Sequence, residues 1–318
     1  MINGKKIAAI IQARMTSTRL PGKVLMPLNG KPALQRVIER LRASKVDDVI
    51  VATTINEADD AIVNLCEQLN CGCYRGSEED VLSRVLEAAK LYNIDVIVEI
   101  TADCPLIDPS HVNILLDMHG GGTAVDMTSN IIERTFPRGY DIRIVNIEVL
   151  ERIDREVDNG LDRQHVLSFA YLNPKGKQNY LCLNWAAPAG QNRPEIQVTL
   201  DTQADYELLN WIFIAGEECK VDLSCQDVIS LLDTYNPECY SRVQKVERKD
   251  YFSELQESYE NMPQGGFVEA EQKAMLHKDS PISEKMSNLL KEAVNAIKPN
   301  GIKNHVEIKK RGRKPKTK

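Results

Sequence analysis

The chain lacks several features that would each fix its class at once. Its 318 residues contain no apolar run approaching the ~20 residues of a membrane helix, so no helical span is expected. The first residues run straight into an apolar stretch without a cleavable leader pattern, and the expected location is cytoplasmic. Cysteines stand at 66, 71, 73, 104, 182, 219, 225 and 239, with no Cys-x-x-Cys pair and no histidine near Cys71-Gly72-Cys73. Free thiols in a reducing compartment are therefore expected, not a disulfide frame or a zinc site. No internal repeat is present. Gly22-Lys23 is followed by Val24, with serine at position 17, which excludes a Walker A loop.

What is present is ordinary globular composition, 42% apolar and 27% charged, enough for one large domain or two modest ones. The net charge of −6 is unevenly spread. Residues 309–318 carry seven positive charges and no negative ones, so the preceding 308 residues sum to −13, which is −6 less the tail's +7. An acidic body argues against nucleic acid as the main partner.

Hydrophobic periodicity organises the first half. Residues 7–11 form an apolar, β-branched run, and 47–53 and 95–101 are similar, which predicts strands. Residues 31–44, 58–69 and 80–93 carry apolar positions at helical spacing, and 109–119 opens with proline, which predicts helices. Strands alternating with helices imply parallel βαβ units with a sheet covered on both faces. The second half is less regular. Strands are predicted at 141–145, 179–183 and 197–200, and helices at 148–155, 165–172, 203–215 and 224–232. Composition turns charged and polar after about Val246, with one helical patch at 283–297. The predicted organisation is a catalytic-type domain over 1–245 and a charged extension over 246–318 that ends in a disordered basic tail.

Three segments carry the candidate chemistry. Gln12-Ala13-Arg14-Met15-Thr16-Ser17-Thr18-Arg19-Leu20-Pro21-Gly22-Lys23 follows the first strand and precedes the first helix. In an open α/β sheet such a loop lies where ligands bind, and its cations and hydroxyls suit a polyphosphate. Thr101-Ala102-Asp103-Cys104-Pro105 places a carboxylate just past another strand. Asp108, before Pro109, is assigned to capping. Val198-Thr199-Leu200-Asp201-Thr202 again ends in an acid before a helix, where Asp201 or Thr202 could cap. Paired with Asp103, Asp201 would make a two-carboxylate site for a hard divalent cation.

The 12–23 stretch closely resembles the signature loop of the sugar-acid cytidylyltransferases, which include the enzymes activating 3-deoxy-manno-octulosonate and acylneuraminates. The nearest branch is the spore-coat polysaccharide cytidylyltransferase-like proteins. The segments 75–82 (RGSEEDVL), 101–109, 137–141 (PRGYD) and 200–202 resemble that branch in the same order. The similarity spans about residues 5–245. It implies an α/β nucleotide-diphospho-sugar transferase fold, Rossmann-like and three-layered, with a mixed, mostly parallel sheet. It further implies a Mg2+-dependent enzyme that couples CTP to a sugar acid, releasing pyrophosphate, with a homodimer allowed. Carried over residue by residue, Arg14, Arg19 and Lys23 would bind the triphosphate, and Ala13, Ser17 and Thr18 would line the nucleotide pocket. Arg75, Gly76, Ser77, Asp80 and Thr101 would lie near the nucleoside. Asp103 and Asp201 would hold the metal, Arg14, Lys23 and Asp103 would be catalytic, and Arg138 and His165 would face the sugar. Gln12 and Thr101-Ala102 depart from the octulosonate enzymes, which have proline and Gln-Gly there.

Two further readings belong beside this one. One keeps the fold and takes a sugar phosphate or a phosphonate as acceptor. The other is a non-catalytic nucleotide-binding relative acting in glycan assembly. The tail sequence Lys310-Arg311-Gly312-Arg313-Lys314-Pro315 resembles the Arg-Gly-Arg core of a minor-groove hook, with Lys314 interrupting it. A solvated tail is the expectation.

Overall fold

The computed structural model describes residues 4–122, 124–157, 160–172 and 180–235. The predicted domain boundary near 245, the extension over 246–318, the helical patch at 283–297 and the basic tail lie outside the described residues.

Strand β1 (Ile7–Gln12) is buried almost throughout, as a strand covered on both faces must be. A loop and a short 3-10 turn, Lys23–Leu25, lead into a small ladder of β2 (Pro27–Leu28) and β3 (Lys31–Pro32). Helix α1 (Ala33–Arg42) follows and buries Leu34, Val37, Ile38 and Leu41. Those positions form one stripe at helical spacing, and each buried side chain contributes roughly 1.5–3 kcal/mol. Then come β4 (Asp48–Thr54), α2 (Asp60–Gln68), β5 (Gly72–Gly76), α3 (Val81–Leu91) and β6 (Val96–Thr101). Helix α4 (Pro109–His119) is capped by Asp108, which accepts the Ser110 amide at 2.8 Å, as expected.

The second half contributes β7 (Met127–Ser129), β8 (Arg143–Asn146), α5 (Ile147–Glu156), α6 (Gly160–His165), α7 (Ser168–Leu172), β9 (Cys182–Asn184), α8 (Gln203–Cys219) and α9 (Cys225–Tyr235). The single helix predicted over 165–172 is broken, because Val166 adopts φ 54°. The strand predicted over 197–200 is reduced to one bridge, Arg138 to Gln197. The edge strand β5 carries no prediction from the sequence.

The seven-stranded sheet runs β5-β4-β1-β6-β8-β7-β9. Strands β5, β4, β1 and β6 are parallel, and β8 is antiparallel to both β6 and β7. The fold is the expected mixed, mostly parallel α/β sheet. From β1 the chain steps outward to β4 and β5, then returns across the sheet to β6. The order therefore reverses between β1 and β6, and the crevice beyond their carboxyl ends is the switch point where such sheets bind ligands.

Candidate active site

Backbone bonds fold the 13–22 loop over that crevice. Ala13 donates to the Ala52 carbonyl at 3.3 Å, and the amides of Ser17 and Gly22 both donate to the Met15 carbonyl at 2.9 Å. Gly22 makes the return at φ 72°, a left-handed conformation that costs glycine little. The anchor of this loop is Asp59, fully buried. Its carboxylate accepts from the Met15 amide at 2.7 Å, the Thr53 hydroxyl at 3.0 Å, and both the amide and hydroxyl of Thr54.

The loop delivers Lys23 to the switch point. Its Nζ lies 3.0 Å from Asp103 Oδ2 and 2.9 Å from Asp201 Oδ1, and Arg19 Nη2 lies 3.0 Å from the same Asp201 oxygen. Asp103 also accepts the Thr101 hydroxyl at 2.6 Å, and Asp201 accepts the Thr199 hydroxyl at 3.1 Å. Capping of α8 falls to Thr202, in a reciprocal capping box with Asp205, so the Asp201 side chain is left to face Lys23. Burial pulls the Lys23 ammonium toward neutrality, but the charges of Asp103 and Asp201 outweigh it and hold its pKa above the usual lysine value. Burial pushes the Asp103 carboxyl up, while Lys23 and the bonds from Thr101 and Lys23 bring it below the usual carboxylate range. Both groups are thus charged at neutral pH.

Asp201 is brought in by a segment without strand structure of its own. Arg138 donates its amide to the Ile196 carbonyl at 3.0 Å and accepts the Val198 amide at 2.8 Å, and Leu200 donates to the Asp103 carbonyl at 2.8 Å. The neighbouring Gly139 sits at φ 111°, where an added Cβ would stand 2.8 Å from the Val198 oxygen. Only glycine fits this close approach.

The other site residues fall on either side of this centre. Arg14 lies 3.1 Å from Glu78, which also accepts the Thr16 hydroxyl and, at 2.6 Å, the Asn56 side-chain amide. Thr18 is exposed and Ser17 half-buried. Arg75 is engaged internally, bonding the carbonyls of Thr54 and Asn56 and, at 2.6 Å, Asp60. Gly76 accepts the Ile55 amide. Ser77 accepts the Asp80 amide, while Asp80 caps α3 through the Ser83 amide at 2.9 Å and pairs with Arg163 at 2.8 Å. Segment 75–80 therefore frames the crevice, with Arg75 and Asp80 holding structure. Arg138 is exposed, and His165 is half-buried at the α6–α7 break.

Sequence reasoning missed Asp59, Glu78 and Arg84. Arg84 is buried beneath this frame, bonds the Ser77 carbonyl, and is driven by burial, with help from Arg14, to a pKa of about 10. The roles of Asp59 and Glu78 depend on Met15, Arg14 and Thr16, more than 40 residues away in the chain, and Arg84 bonds a backbone carbonyl seven residues back, which no side-chain pattern announces.

Among the described residues no group of three or more His, Cys, Asp or Glu could hold a metal. Asp103 and Asp201 nevertheless converge on one cation, the Lys23 ammonium. Two carboxylates with no nitrogen or sulfur donor fit Mg2+, which completes its shell with water and phosphate oxygens. No helix of the described residues is long and apolar enough to cross a membrane.

Comparison with known proteins is consistent with this geometry. Residues 8–227 match the family described as cytidylyltransferase. The chain is 31% identical to the spore coat polysaccharide biosynthesis protein SpsF of Bacillus subtilis, over 73% of this chain and 95% of that protein. It is 38% identical to a 3-deoxy-manno-octulosonate cytidylyltransferase of Trichlorobacter lovleyi, over 38% of this chain and 48% of that protein. A cytidylyltransferase structure from Leptospira borgpetersenii superposes with a TM-score of 0.68 at 31% identity, covering 77% of this chain and 99% of that one.

Proposed function

Because this chain belongs to the cytidylyltransferase family, we propose that it couples CTP to a sugar acid, giving a CMP-sugar and pyrophosphate for surface polysaccharide synthesis. The observation that carries the reading is the convergence of Lys23, Asp103 and Asp201 at the switch point of the sheet. Lys23 is 80 residues from Asp103 and 178 from Asp201 in sequence. A fold that needed only stability would gain little from gathering such charges at a crevice.

The chemistry is an in-line attack by a sugar hydroxyl on the α-phosphorus of CTP. Such a displacement asks the protein for positioning and charge stabilisation and little covalent work. Arg14, Arg19 and Lys23 bind the triphosphate, and Lys23 and Arg14 offset the charge that builds on the departing pyrophosphate. Asp59 fixes the loop that carries all three. Asp103 and Asp201 would hold Mg2+, which supplies charge to the α-phosphate and makes the attacking hydroxyl more acidic. The experiment is a pyrophosphate-release screen of the four nucleoside triphosphates against sugar acids, with and without Mg2+. Release that requires CTP, a sugar acid and Mg2+ together is the expected outcome; release with another nucleotide alone would refute the CTP assignment.

A further inference from the structure

One face of the sheet changes character along its strands. Ala8 and Ile10 of β1, Ile97 of β6 and Val145 of β8 belong to an apolar core that also takes in residues of α3, α5 and α7. Side chains two residues apart share a face. One such step toward the crevice therefore puts Gln12, Glu99 and Arg143 on that same face. Register agrees, since Ile10 lies opposite Glu99, and Glu99 opposite Arg143. Gln12 Nε2 donates to Glu99 Oε1, and Arg143 Nε stands 2.9 Å from Glu99 Oε2. The Glu99 side chain is 0% exposed and that of Arg143 14%. Beside them Arg134 makes two parallel bonds of 2.9 Å to Asp141. Tyr171 of α7 is half-buried, packs against that core, and lies within electrostatic reach of Arg143, Glu99, Asp141 and Arg134. The group borders the reaction centre, because the Cys104 thiol bonds into the Thr101–Asp103 turn and also feels Asp141.

A largely buried ion pair such as Glu99–Arg143 in place of aliphatic side chains does not make a sheet more stable, and with the half-buried Arg134–Asp141 pair beside it it points to a ligand. Arg14, meanwhile, lies toward β5 and α3 through Glu78, on the other side of Asp103. We propose that Arg134, Asp141, Arg143 and Tyr171 form the wall that recognises the acceptor sugar, with Gln12 and Glu99 as positioning residues for Arg143. This rests on the cytidylyltransferase reading above and narrows it. Each guanidinium in the wall already faces a carboxylate, so the wall is nearly neutral. It offers arginine donors next to carboxylate and phenol acceptors, which suits the hydroxyls and amides of a sugar. It has no surplus charge for a phosphate dianion, so it reads the acceptor's hydroxyls and amides, which fits a polyhydroxylated sugar acid with its single negative charge better than a sugar phosphate.

The test uses the full chain with CTP and Mg2+. Acceptor probes are 3-deoxy-manno-octulosonate, N-acetylneuraminate and glucose 1-phosphate, read by pyrophosphate release and, independently of turnover, by saturation-transfer NMR on the CTP-loaded protein. At least one sugar acid binds and glucose 1-phosphate does not. Arg143→Lys and Tyr171→Phe weaken the acceptor, by KM or by NMR-derived Kd, about tenfold, while the KM or Kd for CTP stays within about twofold. Gln12→Leu weakens the acceptor by about threefold and also leaves CTP untouched. Preference for glucose 1-phosphate, no binding by either sugar acid, or equal losses for acceptor and CTP would overturn the wall while leaving the nucleotide site standing. Unchanged acceptor affinity in both Arg143→Lys and Tyr171→Phe does the same. Failure of CTP to raise the melting temperature of the wild type overturns the underlying reading, and the wall with it.

Discussion

Replacing Lys23 by methionine keeps most of the stem's bulk and removes the ammonium shared by Asp103 and Asp201. Deleting one partner of a buried ion pair costs ~3–5 kcal/mol. Here the Asp103 and Asp201 side chains are 26% and 16% exposed, and Arg19 keeps its 3.0 Å contact with Asp201. Water and Arg19 thus take up part of the stranded charge, and the expected loss is about 2–3 kcal/mol. For a domain of this size that is a fall of roughly 5–10 °C in Tm. The pH dependence follows from the signs. Asp103 has a lowered pKa in the folded protein, so its share of stability is present above the unfolded carboxylate value of ~3.9 and is lost as pH falls through the folded value. Lys23 has a raised pKa, so its share is complete below the unfolded lysine value of ~10.4 and is lost as pH rises through the folded value. The gap between wild type and Lys23→Met is therefore widest from about pH 5 to about pH 10, and within the range assayed it narrows toward acid. Thermal unfolding followed by circular dichroism across pH 3–10 measures it. A Mg2+ titration at pH 7 adds a second readout, in which the variant gains more than the wild type because the ion replaces the missing ammonium. Equal Tm values at pH 7, or a gap that persists unchanged into acid, would refute the electrostatic account.

Three other perturbations test separate links. Asp103→Asn is expected to lower pyrophosphate release by about 100-fold or more with the far-ultraviolet spectrum unchanged; retained turnover removes Asp103 from the mechanism. Gly139→Ala forces a Cβ to 2.8 Å from the Val198 oxygen at φ 111°, which is expected to cost about 2–3 kcal/mol in chemical denaturation. A stability within experimental error of wild type would show that the 136–141 and 196–200 segments can move apart freely. Asp59→Asn replaces a carboxylate that accepts from Met15, Thr53 and Thr54, and is expected to cost about 1–3 kcal/mol. Hydrogen exchange in the 13–22 loop should quicken, and unaltered protection there would deny Asp59 its anchoring role.

Much of the fold could be read from the sequence because its signals are local. The buried run at Ile7–Gln12 and the stripe of Leu34, Val37, Ile38 and Leu41 each state their structure within a dozen residues. Strand β5 could not be read that way. It is Gly-Cys-Tyr-Arg-Gly at the sheet edge, half-buried throughout, with glycine at both ends and no alternation. The 197–200 segment shows the opposite error. Its Gln-Val-Thr-Leu alternates like a strand, yet it sits outside the sheet and makes a single bridge. The site divides in the same manner. Lys23 and Asp103 come after the readable β1 and β6, and Asp201 comes just before the readable α8, so the sheet edge could be inferred. Asp59, Glu78 and Arg143 matter through Met15, Arg14, Thr16 and Glu99, each more than 40 residues away, which no window of sequence contains.

The manner in which Asp201 arrives gives the enzyme a built-in dependence on completion of its own chain. The four parallel strands β5, β4, β1 and β6 all precede Asp201 in the chain. The second acid reaches Lys23 only when residues 196–200 lie down along Arg138 and Asp103, through three backbone bonds and a glycine whose Cβ, if it had one, would meet the Val198 oxygen. Ile196, Val198 and Leu200 are buried as they do so, so the arrival of Asp201 is tied to completion of the core. A chain that stops before residue 196 contains the 13–22 loop but lacks the second carboxylate, so the Lys23–Asp103–Asp201 group can form only in the longer chain.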